Sequence, residues 1–147
     1  MTRLLSSLEP ITEEKIRRLI AASAAVGLEV YVVTAYRTYP EQDALFSQGR
    51  TSPGNKVTNA RGGESWHNFG RAVDLAFEDE MGKPDWDRPM DQWKLLGAMG
   101  EMIGLEWGGK FEGLGDYGHF HYSAGMTKQQ AKASWESNQT LAKVEGS

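Results

Sequence analysis

Residues 65–77 read Ser65-Trp66-His67-Asn68-Phe69-Gly70-Arg71-Ala72-Val73-Asp74-Leu75-Ala76-Phe77, and the chain changes character midway through them. Up to Gly70 the residues are a mixture of hydroxyl, aromatic, imidazole and amide. From Arg71 to Phe77 they alternate as a β-strand does, with Ala72, Asp74 and Ala76 on one face and Val73, Leu75 and Phe77 on the other. An aspartate between two alanines has open space on its own face, while the opposite face supplies bulky apolar side chains for a core. Gly70 lets the preceding loop turn close to that aspartate.

Working toward the N-terminus, residues 50–64 contain Pro53, Gly54, Asn55, Gly62 and Gly63 and read as a loop. Thr38 and Glu41 have capping-box spacing and predict a short helix that Gly49 ends. Leu28 to Thr34 predicts a strand. Before it, Ile16, Leu19, Ile20 and Ala24 recur at helical spacing between Thr12 and Val26, with Glu13 and Glu14 in the first turn and Gly27 beyond the last. Toward the C-terminus, residues 78–89 form an acidic, turn-rich connection. Asp91 to Ile103 predicts a helix that turns Trp93, Leu96, Met99 and Ile103 inward and closes at Gly104. His119 to Tyr122 predicts a short strand, and Met126 to about Gln139 a polar helix begun by Thr127. The expected fold is α+β: one compact domain over residues 1–147, a small antiparallel sheet flanked by helices, with no internal repeat or linker.

Composition narrows the function. A chain of 147 residues can bury a real core, and 39% hydrophobic with 24% charged residues is ordinary for a globular protein. A net charge of −4 offers no basic field for a nucleic-acid backbone. The absence of cysteine removes disulfides, thiolate metal ligands and a cysteine nucleophile together. The first residues carry one cation and a short apolar run that Glu9 and Pro10 interrupt, too short for a secretory signal, and no stretch is long enough to span a membrane. The expectation is a chain made in the cytoplasm that needs another factor to reach any target outside it.

All three histidines fall in two short segments, Ser65 to Asp74 and Asp116-Tyr117-Gly118-His119-Phe120-His121-Tyr122. Zinc without thiolates takes imidazole nitrogen and carboxylate oxygen, and a catalytic zinc has three protein ligands plus water. Two histidines and one aspartate supply that set. A carboxylate three residues before a ligand histidine can stand beside the attacking water as general base. A single histidine or aspartate is more often a plain hydrogen-bonding group; the clustering among glycines and aromatics is what marks these.

The pattern Ser65-x-His67-x-x-Gly70-x-Ala72-x-Asp74 followed by Asp116-x-x-His119-Phe120 resembles the signature of the peptidase family (M15, VanY-like) that includes D-alanyl-D-alanine carboxypeptidases, vancomycin-resistance dipeptidases and phage L-alanyl-D-glutamate endopeptidases. Tyr36-Arg37-Thr38 with Gln42, Phe46-x-x-Gly49-Arg50 and residues 104–109 are most similar to the endolysin and L-alanyl-D-glutamate endopeptidase branch. The resemblance implies one Zn2+ held by His67, Asp74 and His119, with Asp116 as catalytic base and Arg37 stabilising the oxyanion or holding the substrate carbonyl. It places Ser65 at the motif start, where its hydroxyl can bond substrate or support a ligand, and Gln42 among the substrate-binding residues.

His121 shares a strand face with His119 and so competes for the metal. The family pattern assigns the metal to His119 and leaves His121 supporting it or touching substrate. Trp107-Gly108-Gly109 either lines the substrate cleft or makes a tight turn around a packed indole. Arg50 and Arg61 are candidates for acidic groups of a stem peptide or are simply solvated. The acidic run Glu78, Asp79, Glu80, Asp85 and Asp87 lacks EF-hand spacing and reads as a solvated loop rather than a calcium site.

By resemblance, then, the expected activity is hydrolysis of bacterial peptidoglycan stem peptides by a monomeric L-alanyl-D-glutamate endopeptidase. It would act as a phage endolysin released through a holin, with no separate wall-binding domain. The alternatives are a D-Ala-D-Ala carboxypeptidase or dipeptidase on the same scaffold, and a catalytically silent wall-binding domain.

Overall fold

The computed structural model describes residues 1–111 and 115–145. Helix α1 runs Pro10–Ala25, strand β1 Val30–Thr34, helix α2 Tyr39–Ser47, strand β2 Ala72–Glu78, strand β3 Pro84–Asp85, helix α3 Met90–Ile103, strand β4 Glu106–Trp107, strand β5 His119–His121 and helix α4 Lys128–Glu145. The sheet is antiparallel in the order β1-β2-β5-β4, with β3 pairing to the far end of β2. The expected α+β architecture is the observed one.

Helix α1 starts two residues earlier than the apolar spacing indicates. Pro10 occupies the first turn, where its missing N–H costs nothing, and the Glu9 carboxylate accepts from the N–H groups of Ile11 and Thr12. Thr38 and Glu41 make the reciprocal capping box that opens α2. Thr127 and Gln130 cap the start of α4 in the same reciprocal way, and that helix runs past Gln139 to Glu145. The strands β3 and β4 were not visible in the sequence. The acidic connection folds back as a turn in which the Asp79 carboxylate accepts from Met81 and Lys83 N–H, so this acidic run organises a β2–β3 turn.

Strand alternation sorts the sheet into two faces. Val73, Leu75 and Phe77 of β2, Phe120 of β5 and Trp107 of β4 pack with Ile16 and Leu19 of α1 and with Trp93 and Leu96 of α3. Asp74, His119 and His121 occupy the opposite face, which the segment around His67 covers. Helix α3 approaches the sheet closely because Gly97 and Gly100 point at it. A Cβ on Gly97 would lie 2.3 Å from the Trp107 ring, and one on Gly100 would lie 2.5 Å from the Phe120 ring. Gly97→Ala should therefore destabilise the protein by about 1–3 kcal/mol through overpacking, despite alanine's better helix propensity. Urea unfolding measures this; an unchanged or raised midpoint would mean that the α3–sheet contact has slack.

Candidate metal centre

Each donor of the site comes from a different local structure. Asp74 projects from β2. His119 stands directly across from it on β5, in the register Asp74↔His119 and Ala72↔His121. His67 belongs to a short 3-10 helix, Trp66–Phe69, whose capping box joins Ser65 to Asn68 and whose end is turned by Gly70 in the left-handed region at φ 66°. Asn68 is fully buried and ties this helix down: its amide donates to the Arg37 carbonyl at 2.9 Å, and its oxygen accepts from Gly63 N–H at 3.1 Å and Ser65 N–H at 3.2 Å.

One nitrogen of each ring meets the same carboxylate. His67 Nε2 lies 3.3 Å and His119 Nδ1 3.7 Å from Asp74 Oδ1. One donor atom from each of the three residues fits within a span of 4.8 Å. The tautomers suit metal binding. His67 Nδ1 sits 2.9 Å from the Ala35 carbonyl, which can only accept, so Nδ1 carries the proton and Nε2 presents a lone pair. His119 Nε2 contacts His121 Nδ1 at 2.9 Å, which frees His119 Nδ1 to face Asp74. Donor chemistry, spacing and outer hydrogen bonds all fit a divalent ion of the zinc type.

The charges agree with that fit. Burial pushes the Asp74 pKa up, but His67 and His119 outweigh it and hold the carboxyl well below its ordinary value, so it is an anion ready to ligate. Burial pushes the His121 pKa down to about 3, helped by the charges of His119, Lys128 and His67, so His121 is neutral near pH 7. Arg37 is lowered by burial and raised by Asp74, Glu41 and Asp116; an arginine so placed remains a cation.

Arg37, Ser65, His67, Asp74, Asp116 and His119 line one cavity of about 350 Å³. Arg37 Nη2 lies 3.8 Å from Asp74 Oδ2, and Nη1 donates to Gln42 Oε1 at 2.8 Å. Asp116 keeps contact with solvent, yet the cleft walls crowd its carboxyl. That lost hydration, followed by the Asp74 charge, raises its pKa against the pull of His119, His67 and Arg37. Gly108 runs beneath it, where a Cβ would lie 2.4 Å from the Asp116 carbonyl oxygen and 2.9 Å from His119 Cβ.

The remaining residues singled out in the sequence lie elsewhere. Gln42 is fully buried, donating to the Ala60 carbonyl while it accepts from Arg37, so it positions Arg37 and does not face the cavity. Trp107 does not border the cavity either. The register Trp107↔Phe120 turns it to the core face, its indole N–H donates to the Tyr117 carbonyl, and it is wedged between Gly97 and Gly109. His121 supports His119 from behind, stacked on Trp66 at 4.9 Å and with Glu106 3.8 Å from its Nε2. Ser65 Oγ accepts from His67 N–H at 3.3 Å. The Arg50 guanidinium is spent on the Phe46 and Thr58 carbonyls and on Asn59. The sequence did not mark Asn68, Trp66 or Glu106 as residues of the site. The Ser65-x-x-Asn68 cap spacing was a usable signal for the first; the others depend on contacts between distant segments.

Comparison with known proteins agrees with this geometry. Residues 58–122 match the family model described as D-alanyl-D-alanine carboxypeptidase. The chain is 40% identical over 121 residues to the peptidoglycan L-alanyl-D-glutamate endopeptidase CwlK of Bacillus subtilis (strain 168), covering 78% of this chain and 72% of that protein. The fold is similar to the L-Ala D-Glu endopeptidase ChiX of Serratia marcescens, with a TM-score of 0.58 and 21% identity over 80% of this chain and 82% of that one. It is also similar to the vancomycin-resistance D,D-pentapeptidase VanY in complex with Zn(II), with a TM-score of 0.57 and 16% identity over 88% and 78%. With a relative this similar along most of both sequences, and with the two-histidine, one-aspartate donor set in place, the chain belongs to the M15, VanY-like family of metallopeptidases.

Proposed function

We propose that this protein is a zinc-dependent endopeptidase that cleaves the L-alanyl-D-glutamate bond of peptidoglycan stem peptides. The observation that carries the reading is the convergence of Arg37, Asp116 and the His67, Asp74, His119 donors on one cavity. The choice of bond rests on the identity with CwlK. Its setting would be host-wall lysis by a phage, in keeping with the resemblance of Tyr36-Arg37-Thr38 and residues 104–109 to that branch. The protein would act as a monomer.

Bound by His67, Asp74 and His119, Zn2+ supplies Lewis acidity, which polarises a carbonyl and makes water a competent nucleophile at neutral pH. The chain's own groups do the rest. Asp116 accepts the proton of the attacking water and passes it to the departing amine. The Arg37 guanidinium, held by Gln42, donates to the substrate carbonyl oxygen as negative charge develops there. His121 and Ala35 keep the two imidazoles oriented. Arg37→Ala should lower kcat by about 10²–10³ and leave zinc bound; unchanged kcat would remove Arg37 from the charge-stabilising role.

The reading is tested by digesting purified peptidoglycan with zinc-loaded protein, labelling new amino termini and identifying products by mass spectrometry. New D-glutamate amino termini, lost with a chelator, are the expected result. Release of D-alanine would instead support the carboxypeptidase reading, which the description of the matching family model favours. Wall binding with no product would favour a silent binding domain.

A further inference from the structure

A second cavity, of about 360 Å³, adjoins the metal cleft and shares Ser65, Phe111 and His119 with it; Ala60, Trp66, His121 and Lys128 complete its walls. Its sides are aromatic. Trp66 and His121 stack with only 7° between their planes, and Phe111 lies 6.2 Å from His121 at 30°. Lys128, the first residue of α4, is its single cationic side chain. Lys110 and Lys132 are engaged by Glu101 and Glu136, whereas among the described residues no carboxylate pairs with Lys128. Glu106, behind the His121 ring, is held by Ser123 N–H and Oγ. Lys128 lines this pocket together with His121 and is itself open to solvent.

The mechanism leaves this pocket unused, and the chemistry of the proposed substrate supplies a group for it. A glutamyl residue has two carboxyls. One carries the peptide onward, so the other stays free whichever linkage is used. Cleavage on the amino side of that residue therefore puts a carboxylate within a few bonds of the departing amine. We propose that the side pocket is the subsite for the residue on the departing-amine side, and that Lys128 pairs with its free carboxylate. The pocket's continuity with the metal cleft through His119 and Ser65 gives the required proximity, and Lys128 supplies the cation that a carboxylate there would meet. This assignment rests on the endopeptidase reading. Lys128 acts on binding and touches no reacting atom.

The test uses zinc-loaded protein, Lys128→Met and Lys128→Arg with two peptides that differ in one group: an acyl-L-alanyl-D-glutamyl peptide with a free carboxylate, and the same peptide with that carboxylate amidated. The protein should favour the acid in KM roughly five- to tenfold, the scale of one partly screened charge-assisted contact. Lys128→Met should bring that preference close to one, and Lys128→Arg should restore most of it. Retention of the preference in Lys128→Met, or its absence from the unaltered protein, overturns the subsite. If neither peptide is cut, the endopeptidase reading fails, and calorimetric binding to zinc-loaded Asp116→Ala, with and without Lys128→Met, still decides the subsite by the same preference. A Lys128-dependent preference seen only for the terminal carboxylate of a D-alanyl-D-alanine peptide would overturn the glutamyl assignment.

Discussion

His67→Ala should lose the metal and the activity together. The His67 ring is buried at 4% exposure, its Nδ1 anchored on Ala35 and its Nε2 aimed at Asp74, so it is one of the three donors held in place for the metal. Removing an outer partner of a metal ligand already costs about 10–100-fold in affinity, and removing a ligand should exceed that. Zinc content by elemental analysis should fall from one equivalent to a trace after dialysis, with turnover at the background rate. The substitution also leaves the Ala35 carbonyl without its partner, at about 1–3 kcal/mol, so thermal unfolding must accompany the measurement. His119→Ala serves as an independent check from the other side of the site. A folded His67→Ala protein that retained a full equivalent of zinc, or its activity, would sink the proposed centre.

Asp116→Ala should have the next largest effect, of a different kind. Loss of a general base lowers kcat by about 10²–10⁴, while zinc should stay bound because the three donors do not include Asp116. Equal loss of zinc would make Asp116 a ligand. The pH dependence has a definite sign. Asp116 works only when deprotonated, so the rate falls as pH drops through its pKa. Burial and the Asp74 charge raise that pKa, moving the acid limb of kcat/KM upward, while a bound dication pulls it back down. The residual activity of Asp116→Ala should lack this limb. A limb that persisted unchanged would belong to another group.

The sequence was most informative where chemistry is local. The capping box of Thr38 and Glu41, the periodicity of α1 and α3, and the alternation that sets Asp74 between Ala72 and Ala76 all depend on residues within a few positions of one another. The strands β3 and β4 are two residues long, too short for any period to show, and exist only because β2 and β5 present open hydrogen-bonding edges to them. A metal centre of two histidines and one aspartate was likewise readable from residue types and clustering, whereas the choice of His67, Asp74 and His119 came from the resemblance to the peptidase family.

Register was not readable. Alternation alone leaves His119 and His121 equivalent, since both point to one face of β5. Pairing of β5 with β2 sets His119 opposite Asp74 and His121 opposite Ala72, and a strand rises about 3.3 Å per residue. That places His121 a full two-residue step farther along, where it meets His119 Nε2 rather than the Asp74 carboxylate. Pairing of β4 with β5 then turns Trp107 into the core and leaves Glu106 behind His121. The sequence by itself determined the kinds of donor and the strand faces. Only tertiary structure decided which imidazole meets Asp74, because that depends on hydrogen bonds between segments that no local pattern connects.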